Sequence, residues 1–473
     1  MAGRKKKSIP IDRQHHNTLP PSDIRYGLVW KDRPDEVEHL LQEARPIAIE
    51  EPQLHIDAPT ENAPIHTLIE GDNLAALTIL KEQYREKVDI IYIDPPYNTG
   101  KDFRYNDCYT SNDDDYPHAT WLSFIDKRLR AAYDLLAPEG IIFISINDNQ
   151  QARLKLLCDD IFSEQNFVCQ FVWEKSQHFG RQTKNSYSNY EYILCYCKNL
   201  RENGRAIDVL VESVDNNLLD APLYNAINPV ATITFPPGSV IFRIADGVYH
   251  HTSDKKYELL DAVEVVEHTN RNAFRLAFKS RWSAPKVIKE HESGCRFCIK
   301  SCNFAIRAVY PQERTTLRAP KELILTNPNN PMKTQSRHGV RVGTTESGSA
   351  ELKEIIGNHH FNYPKPSSLI EYLIGLLWDR NTHAHKKDCL ILDFFAGSGT
   401  TLQATMQLNT RDKGTRRCIL VTNNENNICR EITYPRISRL IKGYTGRGEI
   451  PVDGLTENSL RFYHIEYVPH NKE

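Results

Sequence analysis

A chain of 473 residues, 40% hydrophobic and 25% charged, has the material for two or three soluble globular domains. No apolar run approaches membrane-span length, and the basic start MAGRKKKSIP reads as a charged arm without the apolar core of a secretory signal. A net charge of −2 excludes a polycation, so any nucleic-acid surface must come from local asymmetry, and eleven scattered cysteines without an export signal point to reduced thiols in a cytoplasm.

Residues 1–64 form a polar, proline-punctuated N-terminal extension in which only EVEHLLQEA, Glu36 to Ala44, reads as a helix. From Ile65 the pattern changes. A short strand at Thr67–Ile69 and a turn at Glu70-Gly71-Asp72-Asn73 lead into an amphipathic helix from Leu74 to Tyr84. A buried strand, Val88 to Ile93, follows. WLSFIDKRLRAAYDLL predicts a helix over Trp121–Leu136, and Pro138-Glu139-Gly140 ends it. Ile141–Ile146 is a further buried strand, Asn147–Asp160 a helix, and Phe167–Trp173 and Tyr192–Cys197 strands. Alternation of strands and helices over 65–200 predicts a doubly wound α/β sheet with helices on both faces.

Residues 201–355 are irregular, and Asn270 to Thr345 holds fifteen Lys and Arg against four Glu and no Asp. Such a concentration in a near-neutral chain favours a phosphate-binding face over a plain solvated surface. The α/β pattern returns over 356–473. It runs as helix Ser368–Trp378, strand Cys389–Phe395, tight turn Ala396-Gly397-Ser398-Gly399, helix Thr400–Leu408 and strand Cys418–Thr422. The two α/β stretches could complete one sheet.

Two sites stand out. The strand at Ile90–Ile93 stops on Asp94-Pro95-Pro96-Tyr97. Prolines cannot donate to a sheet ladder and push the residues before them to extended geometry. The result is a stiff loop at a strand's carboxyl end, where open α/β sheets bind ligands. It offers a carboxylate, carbonyls and an aromatic face, a set that suits a flat substrate with an exocyclic amine. The alternative is a plain strand-terminating turn with a capping Asp. The second site, Asp393 to Thr401, is strand, glycine turn, helix. Glycines allow close backbone approach, and the helix start presents N–H groups. Glu425, twenty-six residues after Gly399, can accept ribose hydroxyls. No Walker lysine is present, so a nucleoside with a zwitterionic tail fits better than a triphosphate.

DPPY followed by FAGSG, with a basic segment between, resembles the beta class of S-adenosylmethionine-dependent DNA amino-methyltransferases. LIEGDNLAALTIL, IYIDPPYNTGKDFRYND, LLAPEGIIFISINDNQ and FNYPKPSSLI are similar to the Mod subunits of type III restriction-modification systems. The resemblance implies a Rossmann-like methyltransferase sheet split into a catalytic half (65–200) and a cofactor-binding half (356–473), with a target-recognition domain inserted at 201–355. It implies methyl transfer to N6 of an adenine flipped out of duplex DNA, with Asp94, Pro95, Pro96 and Tyr97 forming the transfer loop. Asp393, Phe395, Ala396, Gly397, Ser398 and Gly399 would line the methionine end of the cofactor and Glu425 its ribose. Asp72 would lie near the adenine, and Lys365 beside the site. An N4-cytosine methyltransferase on the same scaffold and a non-catalytic DNA specificity subunit are the alternatives. The implied partners are duplex DNA, a second copy of the chain and a restriction (helicase–nuclease) subunit. No membrane is implied, and the setting is a prokaryotic cytoplasm, at the nucleoid. One cluster lies outside this scheme: His291, Cys295, Cys298 and Cys302 have ligand types and a spacing that can hold a structural zinc.

Overall fold

The computed structural model describes residues 28–99, 117–178, 188–202, 205–215, 221–310, 315–330 and 332–470. They form two compact units, Val211–Pro320 and the sequence on either side of it.

The flanking sequence builds a ten-stranded sheet. Its strands in chain order are β1 (Ala44–Glu50), β2 (Ile65–Glu70), β3 (Val88–Ile93), β4 (Leu136–Ile146), β5 (Phe167–Glu174), β6 (Tyr190–Cys197), β7 (Leu323–Ile324), β8 (Leu390–Asp393), β9 (Arg417–Thr422) and β10 (Ser459–Pro469). Their spatial order is β1-β10-β2-β9-β8-β3-β4-β6-β5-β7. From β10 to β4 every pairing is parallel, whereas β1 and β6 run antiparallel to their neighbours. The two halves of the sequence meet at the centre, where Ile391 and Leu392 of β8 pair with Ile90 and Ile91 of β3.

A strand with helices on both faces has to be apolar at every position. In β3, Ile90 and Tyr92 join a core with Leu369–Leu373 of helix α6 (Ser367–Gly375) and Leu402–Leu408 of α7 (Thr400–Asp412). Ile91 and Ile93 face the other way, toward α2 (Asn73–Tyr84) and α3 (Pro117–Leu135). The remaining helices of this unit are α1 (Glu36–Glu43), α4 (Gln151–Cys158), α5 (Thr345–Ile356) and α8 (Tyr434–Lys442). This is a Rossmann-like α/β fold. Among the described residues no helix is long and apolar enough to cross a membrane.

Val211–Pro320 has a core of its own, in which Phe235, Phe242, Phe274 and Phe297 cluster. It contains a seven-stranded and a three-stranded sheet and the helix Ala284–Glu292. It is narrower at both ends than the 201–355 segment read from the sequence. β7 and α5 belong to the larger unit, β7 by pairing with β5.

The zinc expectation is corrected here. Cys295 enters the core, and Cys298 is three residues further along the strand Arg296–Ile299. An odd separation sends the two side chains to opposite faces. His291 hydrogen-bonds the Cys295 carbonyl through Nδ1 at 3.0 Å, and Cys302 lies exposed past the strand's end. Among the described residues no group of three or more His, Cys, Asp or Glu is placed to hold a metal.

Candidate active site

Four parallel strands, β2, β9, β8 and β3, release their chains at one edge of the sheet, and a cavity of about 460 Å³ opens there. That volume lies within the range of small-molecule sites, roughly 300–1,000 Å³. It is lined by Asp72 after β2, Asp94 and Pro96 after β3, Phe395 to Ser398 after β8 and Glu425 after β9. Tyr363, Pro364 and Lys365 close one side, and Asp35 to Val37 of the N-terminal segment another.

Asp94 is tightly placed. Its Oδ1 accepts from the Tyr97 hydroxyl at 2.7 Å, and its Oδ2 accepts from Lys365 Nζ at 2.7 Å. Trp121 Nε1 donates to the Pro96 carbonyl at 2.8 Å, tying the loop to α3. Glu191 of β6 joins the group: its Oε2 lies 3.2 Å from the Tyr97 hydroxyl oxygen and 3.4 Å from Lys365 Nζ. Its Oε1 accepts from Lys175 Nζ at 3.1 Å. Burial alone would push the Lys365 ammonium down, but Asp94 and Glu191 hold it above the ordinary lysine range. Burial likewise works to raise Glu191, and the Lys365 and Lys175 ammoniums hold it below the usual carboxylate range. Burial, then the charges of Asp94 and Glu191, push the Tyr97 phenol well up.

The glycine turn is held from beneath. Gly397 and Gly399 take φ of +49° and +80°, a region where side chains are strained. A Cβ on Gly397 would stand 3.3 Å from the Phe361 ring. Thr433 Oγ1 donates to the Gly397 carbonyl at 2.6 Å, and buried Arg436 donates to Ser398 Oγ and Thr400 Oγ1, both at 2.8 Å. Asp393, also buried, accepts from Phe395 N at 3.0 Å and Thr401 Oγ1 at 2.5 Å. Desolvation pushes its carboxyl up to about 7. Thr400 Oγ1 also donates to the Lys365 carbonyl at 3.3 Å. Lys365 thus touches the glycine turn with its backbone and the Asp94 loop with its side chain.

Asp72 caps α2, accepting from Leu74 N at 2.7 Å, and pairs with Arg128 at 3.2 Å. Arg128 is buried, lies 3.7 Å over the Phe124 ring and also pairs with Asp35 at 2.9 Å. Glu425 is exposed at the rim. Of the site residues read from the sequence, Asp72, Asp94, Pro96, Lys365, Asp393, Phe395 to Ser398 and Glu425 line this cavity, whereas Pro95, Tyr97 and Gly399 belong to the same loop and turn without lining it, and the four proposed zinc ligands lie in Val211–Pro320. Arg128, Glu191, Lys175, Asp35 and Arg436 were not read. Two of them carry a signal. Arg128 falls on the apolar stripe of its helix, beside Trp121, Ile125 and Ala132, and Glu191 interrupts an otherwise apolar strand. A charge in such a place needs a partner.

The profile of a family described as DNA methylase matches residues 88–434. The chain is 29% identical over 449 residues to the Mod subunit of the type III restriction-modification enzyme StyLTI of Salmonella typhimurium, covering 88% of this chain and 62% of that one. It is 30% identical over 389 residues to the type II methyltransferase M.KpnI of Klebsiella pneumoniae, covering 79% of this chain and 84% of that one. A solved structure of the Thermus thermophilus protein TTHA0409, complexed with S-adenosyl-L-methionine, overlaps with a TM-score of 0.35 at 12% identity, over 84% of this chain and 97% of that one. This chain spans about three-fifths of the Salmonella subunit's length and most of M.KpnI. With a family profile covering most of its length and a relative matched over most of both chains, this protein belongs to the DNA methylase family.

Proposed function

We propose that this chain transfers a methyl group from S-adenosylmethionine to N6 of an adenine turned out of duplex DNA. The observation that carries the reading is the convergence of the Asp94-Pro95-Pro96-Tyr97 loop and the glycine turn on one cavity. The cavity suits the cofactor by chemistry as well as size. The amino end of α7 and the Gly397–Gly399 backbone offer N–H groups to an amino-acid carboxylate. Glu425 offers acceptors to ribose hydroxyls, and Asp72 lines the same cavity for the adenine. When bound, the cofactor supplies a methyl group on a sulfonium, an already activated leaving group.

The residues of the loop then act on the target amine. The N6 lone pair is delocalised into the ring. Asp94 accepts one amine N–H and the Pro95 carbonyl the other, which draws N6 toward tetrahedral geometry and localises the pair. A charge-assisted bond to a carboxylate is the stronger kind. Much of the acceleration is positioning and electrostatics. Extruding a base costs a few kcal/mol, and stacking on Tyr97 offsets roughly 1–3 kcal/mol of that. Asp at the first loop position favours adenine over N4-cytosine. Val211–Pro320 is the candidate DNA reader, and we assign the chain to a restriction-modification system, working as a pair of copies with a restriction subunit as further partner.

Modification-sensitive sequencing of DNA from a methylation-free host tests the reading. N6-methyladenine in one short motif is expected, absent with Asp94→Ala, while that variant retains cofactor binding by calorimetry. N4-methylcytosine in its place would overturn the adenine assignment, and unmodified DNA with intact DNA binding would favour a specificity subunit.

A further inference from the structure

Asp94 has to keep acceptor strength while a lysine ammonium lies 2.7 Å from it. A buried one-to-one pair with Lys365 would draw carboxylate charge away from the amine it is to engage. The ammonium is shared, however, because Glu191 Oε2 stands 3.4 Å away on its other side. Glu191 is in turn matched by Lys175 at 3.1 Å. Two carboxylates and two ammoniums thus form a neutral group, with Glu191 and Lys365 both buried. Resting on the functional reading above, we infer that the Glu191–Lys175 pair is a positioning device that sets how strongly Lys365 grips Asp94, and so how strongly Asp94 pulls on the target amine. Neither residue touches the amine in this scheme; both act through Lys365.

The pair differs from ordinary structural support in one respect, which is charge balance. Replacing Glu191 by Gln keeps the shape and leaves the group one positive charge in excess, concentrated on Asp94. Replacing Lys175 by Met leaves one negative charge in excess, so Lys365 is drawn toward Glu191 and loosens its hold on Asp94. Removing both restores neutrality. Among the described residues, the charged and titratable groups that bear on Asp94 are Lys365, Glu191, Tyr97, Tyr92 and Asp393; Glu191 also bears on the two phenols, and Asp393 is left as it is by either substitution.

The experiment measures single-turnover methylation of duplex DNA by the full chain against pH, with cofactor affinity and melting temperature recorded for each variant. For Glu191→Gln the expected result is a loss in rate of about tenfold, with cofactor affinity within about twofold of the starting protein. Its acidic limb moves to lower pH, and that of Lys175→Met to higher pH. The double variant stays about as slow as Glu191→Gln, because Lys365 still grips Asp94 alone. A double variant restored to the starting rate, or acidic limbs that move in the same direction, overturns the inference. An unchanged rate in Glu191→Gln does so too. Should Glu191→Gln melt early, the Lys175→Met profile decides, since Lys175 is partly exposed and an unshifted limb there overturns the inference by itself. A starting protein that transfers no methyl group to DNA overturns the functional reading, and this inference with it.

Discussion

Asp393 shows how a single residue ties the site to the stability of the fold. It ends β8 directly before the glycine turn, is buried, and has its carboxyl pushed up from 3.8 to about 7 by desolvation. Between those values the native chain holds a proton that the unfolded chain has released. Stability on this account is full below about pH 4, falls as pH rises toward 7 and is level above it, because a raised carboxyl pKa favours the native state only while the group is protonated. The whole interval corresponds to roughly 4 kcal/mol. Asp393→Asn keeps the shape and removes the titration. Its melting temperature should follow a flatter course between pH 5 and 8 than that of the starting protein, and the two curves should draw apart toward pH 8 in the variant's favour. Parallel curves would show that Asp393 is ionised in the native state throughout. His66 has the opposite sign. Burial pushes its imidazole down to about 4, against the opposing hydrogen bond between Nε2 and Asn458 at 3.0 Å, and stability is lost as pH falls from about 6.5 to 4. In Asp393→Asn that acid-side loss should remain, and its absence would assign the acid limb to another group.

At the scale of elements, the glycine turn is where local chemistry and site geometry meet. Gly399, at φ +80°, is the N-cap of α7, and an added Cβ would stand 3.3 Å from Thr433 Cγ2. Gly399→Ala should cost about 1–2 kcal/mol from the left-handed backbone alone. Cofactor affinity should fall with it, because the N–H groups of the first turn would be re-aimed. Denaturant melts and calorimetry check both effects, and a stability loss with unchanged affinity would place the cofactor's tail elsewhere. This turn was legible in the sequence because strand, glycines and helix are contiguous, and β3 was legible to the residue for the same reason. Elements whose partners are remote were not. β1 alternates in burial and pairs with β10 over seven positions, yet the two lie more than 400 residues apart, β1 in the polar extension and β10 near the end of the 356–473 stretch. The pairings Lys365–Asp94, Glu191–Lys365 and Arg128–Asp35 were hidden in the same way. Each joins groups from different elements, and no local periodicity records which charge faces which.

The whole molecule raises the question of what Val211–Pro320 does by itself. Its core is self-contained: Phe235, Phe242, Phe274 and Phe297 lie in a hydrophobic cluster drawn wholly from its own residues. The basic excess read over 270–345 does not coincide with it, since Lys321, Lys333, Arg337 and Arg341 belong to the larger unit. Inside the unit the charge is uneven along the chain: residues 211–269 hold three Lys and Arg against nine Asp and Glu, and residues 270–320 hold eleven against three. Two of those arginines are matched within the unit, Arg275 by Asp261 and Arg318 by Glu212. Arg271, Arg281, Lys286, Lys289 and Arg296 are exposed, and they are the residues to expect against phosphates. An excised 211–320 fragment should therefore unfold cooperatively. It should also bind duplex DNA weakly, with an affinity that falls about tenfold or more between 50 and 200 mM salt, as displacement of counterions from two or more phosphates requires. Replacing Arg281 and Arg296 together by Gln should flatten that salt dependence without changing the melt. A folded fragment with no salt-sensitive DNA binding would move the phosphate contacts to the larger unit, where the remaining lysines and arginines of the 270–345 segment lie. An unfolded fragment would show that its core, though contiguous, depends on the sequence on either side.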